Sequence, residues 1–354
     1  MSLKETAGPL LLQPATLEEA WRLRSRHGFA ALPVAGGTLL RTQWENGVLA
    51  PPSVLLDLRR IGGLADIGPQ PDGSLRIGSQ ATLSAVLKAP ASAGWPLLRE
   101  ALRMIAAPGV RNLGTLGGNI ASAVGDSLPA LLALDAELEW YDGASLAGQS
   151  LEAWLEERRA GAAPERRLLA AVTLPAPGGA AGADGAAGGA GGAGEGSGRA
   201  SAASGNGAGA GGAEGACAAD FSGGHASGGR WHAWRKIGRR ESFTPALVCV
   251  AAAGGPAAPG GATGGASGAW LRLAAGGGSA PPQRLRLAER AALAALAASG
   301  DAARAAAAAF EAALAEYAPA GDAFVDADYR RRCAANLAAA AVWEGWTARG
   351  GERR

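Results

Sequence analysis

Ile105-Ala-Ala-Pro-Gly-Val-Arg-Asn-Leu-Gly-Thr-Leu-Gly-Gly-Asn-Ile120 sets Gly114, Gly117 and Gly118 beside Asn112, Thr115 and Asn119. Backbone amides and small polar side chains therefore crowd into a few residues. An apolar run, Leu128-Pro-Ala-Leu-Leu-Ala-Leu134, follows after Asp126 and Ser127. Glycines at such spacing let a backbone approach a ligand closely, and successive amides can form a concave anion site. Upstream lies a shorter loop of the same character, Pro33-Val-Ala-Gly-Gly-Thr-Leu-Leu40. Two amide-rich loops in one chain point to a ligand with two adjacent phosphates.

Glycine supplies 56 of the 354 residues, so Gly-Gly pairs arise by chance, and either loop alone also reads as a tight turn at a strand end. Neither fits a familiar nucleotide fingerprint. Gly114-Thr-Leu-Gly-Gly118 does not give G-x-G-x-x-G, and no Gly-Lys-Ser/Thr follows either loop.

The charge is nearly balanced, with 33 basic and 31 acidic residues and a formal net charge of +2, which gives no general reason to expect nucleic acid or an anionic membrane as partner. No apolar run is long enough to span a bilayer. The N-terminus lacks a basic region followed by an apolar core, so a cytoplasmic location is expected. Cys217, Cys249 and Cys333 are odd in number and far apart, which argues against a disulfide scaffold, a structural metal site or an iron–sulfur cluster held by this chain alone. His27, His225 and His232 form no cluster, and no catalytic acid or base is assigned.

Along the chain, residues 10–60 read as a βαβ-like start. Leu10–Gln13 is a short strand, and Thr16 caps a helix with Glu18 and Glu19 in its first turn and Gly28 at its end. Ala30–Val34 is a strand delivering the first loop, and Val54–Leu58 is another. Ser74–Ser79 alternates as a half-buried strand does, Thr82–Leu87 and Trp95–Met104 read as helices, and the second has Pro96 in its first turn. After the central loop come a helix at about Ser127–Leu134, a strand at Ala136–Tyr141, a short helix at Leu151–Leu155 and a strand at Arg167–Leu174. Residues 176–229 are dominated by Gly, Ala and Ser and read as a disordered insertion, and about 252–268 as a smaller one. Trp231–Ile237, Ala246–Ala251 and Trp270–Ala275 form a meander, followed by helices at about Leu287–Ala298, Asp301–Tyr317 and Asp326–Trp346. That gives an α+β C-terminal unit, a small antiparallel sheet with helices on one side.

The pair Ala35-Gly-Gly-Thr38 and Arg111-Asn-x-Gly-Thr-Leu-Gly-Gly-Asn-Ile120, with Asp126-Ser-Leu-Pro-Ala-Leu-Leu132, resembles the FAD-binding subunit of molybdenum hydroxylases. That group includes bacterial xanthine dehydrogenases and the medium subunit of aerobic carbon monoxide dehydrogenases. Leu56-Asp-Leu-Arg-Arg-Ile61 and Lys236-Ile-Gly-Arg-Arg240 stand in the expected order around the central string. The resemblance implies a two-subdomain FAD-binding fold of the vanillyl-alcohol-oxidase or p-cresol-methylhydroxylase type, with subdomains at 1–60 and 61–175 and a C-terminal flavoprotein domain at 230–347. It implies that Pro33, Val34, Ala35, Gly36, Gly37, Thr38, Leu39 and Leu40 line the pyrophosphate and flavin. Thr115, Leu116, Gly117, Gly118 and Asn119 would lie opposite. Ile105 stands where some relatives carry an aromatic ring near the flavin, Leu169 would touch the isoalloxazine, and Lys236 would sit near its pyrimidine edge.

Two of these positions keep a second reading. Asp126 would accept from a ribose hydroxyl or adenine amine, or would cap the helix at Ser127. Lys236 alone reads as a solvated strand lysine. Asn119 would bridge its loop to a phosphate or to the other loop.

The function implied is electron transfer: a molybdopterin-binding partner oxidises substrate, a [2Fe–2S] partner relays electrons, and this chain's FAD passes them to NAD or another acceptor. Alternatives are a self-contained flavin oxidase or dehydrogenase of the same fold, and a flavin-free docking module. Intact glycines in both loops argue against the last.

Overall fold

The computed structural model describes residues 8–163, 165–177, 224–226, 229–238, 246–256, 268–323 and 325–347. Its first part is a parallel layer. Strand β1 (Leu10–Leu12), helix α1 (Leu17–His27), strand β2 (Ala31–Val34), helix α2 (Thr38–Glu45) and strand β3 (Val54–Asp57) build a three-stranded sheet in the order β1-β3-β2. Thr16 caps α1 by accepting from the amide of Glu19, as its position ahead of two acidic residues suggests. Ala20 is fully buried on α1's inner face with Leu56, Leu58 and Ile61.

The second part runs β4 (Ile67–Pro69), β5 (Leu75–Gly78), α3 (Leu83–Lys88), α4 (Pro96–Arg103), α5 (Pro108–Arg111), α6 (Leu116–Ala121), α7 (Leu128–Ala133), β6 (Glu137–Tyr141), β7 (Leu146–Ser150), α8 (Leu151–Arg159) and β8 (Leu168–Leu174). Its five strands are ordered β4-β5-β8-β6-β7, all antiparallel. Strand β8 is buried on both faces. Leu168 and Ala170 pack with the α1 layer, while Leu169, Val172 and Leu174 face the larger core around Trp140, Trp154 and Leu116. The change of phase falls at a bulge, where Trp140 pairs with Leu169 but Glu139 with Ala171. The freed carbonyl of Ala170 accepts from the Ser79 amide at 2.9 Å.

The third part is β9 (Gly224–Ala226), β10 (Arg230–Ile237), β11 (Val248–Pro256), β12 (Ala269–Gly276), β13 (Gln283–Arg284), α9 (Arg286–Ser299), α10 (Ala302–Glu316) and α11 (Ala327–Thr347), with the strands ordered β13-β12-β11-β10-β9. Helices cover one face of this sheet as expected. The other face is covered too, by α4 and α7 of the preceding part. Trp231, Ala233, Val248, Val250 and Ala252 point to α9–α11, while Trp234, Cys249, Ala251 and Ala253 pack on Leu97, Ala101, Ala130 and Ala133. Burial on both faces is why β11 reads as one continuous apolar run rather than an alternating one.

The insertions need correcting at their edges. Gly224–Ala226, placed by composition in the first, pairs with Arg230–His232, and Ala252–Pro256, placed in the second, completes β11. The glycines there are a packing requirement: a Cβ on Gly254 would lie 2.6 Å from the Trp231 ring, and one on Gly255 2.9 Å from Trp270. Residues 178–223, 227–228 and 257–267 of these segments lie outside the described residues. Among the described residues no helix is long and apolar enough to cross a membrane.

Asp57, at the end of β3 and paired in register with Val34, accepts from Arg59 at 2.8 and 2.9 Å and from Gln13 at 3.0 Å. The Arg59 bond is the main reason its carboxyl is held down at about 2. A depressed folded-state value contributes stability above the unfolded value near 4, and this stability is lost as the pH falls through about 2. The urea midpoint of D57N should therefore lag wild type most above pH 4, with the gap narrowing toward pH 2. A pH-independent gap would contradict this role.

Candidate functional site

The first loop leaves β2 at Pro33 and Val34, turns through Ala35, Gly36 and Gly37, and enters α2 at Thr38, Leu39 and Leu40. Gly37 occupies the helix N-cap position with φ 65°, left-handed backbone that glycine adopts at least cost. Bonding within this end of α2 starts with the Arg41 amide to Gly37 O at 2.9 Å. The amides of Thr38, Leu39 and Leu40 have no protein acceptor among the described residues. A helix N-terminus presenting such amides suits a phosphate oxygen, with Thr38 Oγ1 as a further donor.

The second loop meets the first. A Cβ on Gly36 would lie 1.9 Å from Leu113 O, and one on Gly114 3.3 Å from Thr38 Oγ1. The backbones touch at a spacing that only glycine at position 36 allows. The second loop, however, is no open cradle of amides. Leu116 and Gly117 donate to Ala81 O (2.9 Å) and Ser79 O (3.0 Å), Gly118 to Thr115 Oγ1 (3.0 Å) and Asn119 to Thr115 O (3.0 Å). Gly-Thr-Leu-Gly-Gly-Asn is a capped helix start: Thr115 is the N-cap of α6, and Gly117 lets α6 lie against Ser79, whose carbonyl would be 2.5 Å from an added Cβ. Thr115 Oγ1 accepts in the cap, so its own proton is left to donate.

Asn119 turns its oxygen toward the start of the next helix. Its Oδ1 accepts from the Ser127 amide at 3.2 Å and from the Ser127 hydroxyl, tying α6 to the start of α7. Asp126 does not cap α7, where Ser127 holds the cap position without a side-chain bond. Its Oδ2 pairs with Lys236 Nζ at 2.8 Å and its Oδ1 accepts from the Ala246 amide at 3.3 Å. Lys236, far from being solvated, is 3% exposed at its side chain and also donates to Met104 O at 3.2 Å. Two candidate site residues 110 positions apart are thus in contact. Ile105 follows Met104 in a half-buried turn, and Leu169 is buried in β8 beside Leu116.

Three contributors escaped the sequence reading. Arg111 belongs to the central string, yet its guanidinium turns back on its own chain and donates to the carbonyls of Arg103 (3.2 Å), Ile105 (2.9 Å) and Ala106. It holds a turn in which Ala106 takes a φ of 48°. Thr82 bridges to Thr115, joining α3 to the N-cap of α6. Ser79 has a buried hydroxyl with no hydrogen-bond partner, directly behind Gly117. Nothing in Ile77-Gly-Ser-Gln80 signals this.

Open amides on α2, a hydroxyl at Thr38 and a capping hydroxyl at Thr115 together fit a phosphate-bearing ligand.

Comparison with known proteins agrees with this chemistry. Residues 5–177 match the family described as FAD binding domain in molybdopterin dehydrogenase. The chain is 36% identical over 123 residues to the carbon monoxide dehydrogenase medium chain of Afipia carboxidovorans, covering 34% of this chain and 42% of that one. It is 32% identical over 133 residues to the nicotinate dehydrogenase FAD-subunit of Eubacterium barkeri, covering 35% and 42%. The matches thus span about two fifths of the length of these relatives. In fold it is similar to carbon monoxide dehydrogenase from Hydrogenophaga pseudoflava, with a TM-score of 0.70 at 22% identity over 96% of this chain and 98% of that one. Quinoline 2-oxidoreductase from Pseudomonas putida 86 gives 0.66 at 21% identity, covering 98% and 99%.

Replacing Gly36 with alanine must force the loops apart. The expected cost is about 1–3 kcal/mol of stability, read from the urea midpoint, together with weaker FAD retention. A G36A chain as stable as wild type would show that the loops do not abut.

Proposed function

We propose, for a chain whose residues 5–177 match the FAD binding domain in molybdopterin dehydrogenase, that it is the FAD-binding electron-transfer subunit of a molybdenum hydroxylase. In this reading it receives electrons from a [2Fe–2S] partner served by a molybdopterin-binding subunit, and delivers them to NAD or another acceptor. A xanthine dehydrogenase-like complex in the cytoplasm is the specific form we favour. The observation that carries the reading is the meeting of the two loops at Gly36 and Leu113, with the first amides of α2 facing no protein acceptor. The names of the relatives, a medium chain and an FAD-subunit of multi-component dehydrogenases, support the subunit role.

FAD when bound supplies a ring able to exchange one or two electrons, which suits a junction between one-electron and two-electron carriers. The chain's own residues bind and orient. Thr38, Leu39 and Leu40 hold the pyrophosphate by their amides and Thr38 by its hydroxyl, with Thr115 donating from the opposite loop. Gly36 and Gly114 keep side chains out of the contact between the loops. Leu169 and Ile105 supply apolar surface for the isoalloxazine, and Arg111 fixes the turn that carries Ile105.

Metal analysis of the tagged chain, purified from the cells that make it, checks this reading. Molybdenum and iron are expected in fixed ratio to FAD, with NADH-supported reduction of an artificial acceptor in the absence of any other substrate. A chain that carries FAD but neither metal, and that is reduced by a small substrate of its own, contradicts the subunit role.

A further inference from the structure

In the third part α10 lies between α9 and α11. Its inner face, with Ala305, Ala309 and Ala313, is buried, and its outer face shows Ala303, Arg304, Ala307, Glu311 and Ala315. Exposed alanine by itself signals only helix propensity. Beside this face, however, a shallow groove of about 450 Å³ runs between α10 and α11, with Phe310, Ala339 and Ala340 along it and Trp343 at one end. The Trp343 residue is 49% exposed, a large apolar surface that gains from being covered. The charges on the face are ordered. Arg304 has a 74% exposed side chain and only a loose 3.9 Å contact with Asp301, and the exposed Glu311 has no ion pair among the described residues. Seven residues, close to two turns, separate Arg304 from Glu311, which puts them on one stripe about 10.5 Å apart, too far to pair with each other. Midway between them stand Ala307 and Ala308.

We propose that this face is an isologous contact with a second copy of the chain, with α10 antiparallel to α10 of that copy about an axis at Ala307 and Ala308. Two-fold symmetry then sets Arg304 against Glu311 of the second copy, and Glu311 against its Arg304. One stripe therefore supplies both halves of two ion pairs. Alanine at the centre lets the two helices approach closely, and Trp343 of each copy covers alanines of the other's α10. A partner of one charge sign would call for one sign on this face. Opposite charges spaced evenly about a small-residue centre are what a two-fold axis requires. None of these residues belongs to either glycine loop, so the contact stands apart from the flavin reading.

The test is sedimentation velocity of the purified full chain over a series of micromolar concentrations. Wild type is compared with R304E, E311R, the R304E/E311R double variant, W343A and an equimolar mixture of R304E with E311R. Wild type should pass from its chain mass of 35.0 kDa to twice that mass as concentration rises. Each charge reversal sets like charges at both contacts and should weaken self-association about tenfold or more, and W343A should weaken it too. The double variant restores both pairs in the reversed sense and should recover the dimer. The mixture should form heterodimers, because an all-acidic stripe then meets an all-basic one. Arg304 and Glu311 are exposed, so the charge variants should keep the wild-type urea midpoint. A wild-type chain that stays at 35.0 kDa throughout would overturn the proposal. So would a dimer that R304E and E311R leave at full strength, which places the contact on another face. Weakening by both single variants with no recovery in the double variant or the mixture would overturn it as well.

Discussion

A charge-sorted seam joins the two halves of the molecule. Among the described residues the ion pairs that cross it run from a carboxylate of the first half to a cation of the second: Asp126 with Lys236 at 2.8 Å, Asp135 with Arg272 at 2.9 Å and Arg284 at 2.7 Å, and Glu152 with Arg286, while Glu100 also bonds His232 at 3.1 Å. These pairs differ in worth. Arg286 is half exposed, and such pairs contribute about 0–1 kcal/mol, whereas removing one partner of a buried pair such as Asp126–Lys236 costs about 3–5 kcal/mol. Burial works against the charged Asp135, but Arg284 and Arg272 overcome it and hold its carboxyl below the usual range. Apolar packing of Leu97, Ala101, Ala130 and Ala133 on Trp234, Cys249 and Ala251 supplies the adhesion, and the charges fix which way the surfaces meet.

The sorting has a consequence for the site. Asp126 and Asp135 flank α7, so the helix that follows the second loop is held at both ends by the C-terminal sheet. Asn119 then ties α6 to Ser127 at the start of α7. Position of the second loop is in this way transmitted from β10 and β12, although neither strand is near the loops in sequence. The first loop is placed differently, by β2 and β3 of the parallel sheet and the bonded Asp57 at the end of β3. Two independently supported loops that meet at Gly36 form a clasp whose spacing is set by packing rather than by the ligand.

Much of this was legible in the chain. Thr16, Pro96 and Gly28 mark helix ends by chemistry that acts over three or four residues, and they fell where expected. The two glycine loops were found because close backbone approach leaves no substitute for glycine. Long-range pairing was not legible. Nothing local distinguishes Asp126 as a partner of Lys236 from Asp126 as a helix cap, because the choice is made by a strand that arrives 110 residues later. The second loop misleads for a local reason: Gly117 and Gly118 read as exposing amides, while Ser79 O and Thr115 Oγ1 consume them. Composition hid the end of β11 as well, since Gly254 and Gly255 look like linker until Trp231 and Trp270 are placed over them.

In the proposed reading the chain holds a flavin by its two phosphates, with the amides of α2 on one side and Thr115 on the other. Equilibrium binding of FAD and of riboflavin to the purified chain, followed by desalting, addresses it most directly. Retention of FAD with loss of riboflavin, which has the same ring and no phosphate, is the expected result. Equal retention of both, or of neither, would contradict the claim.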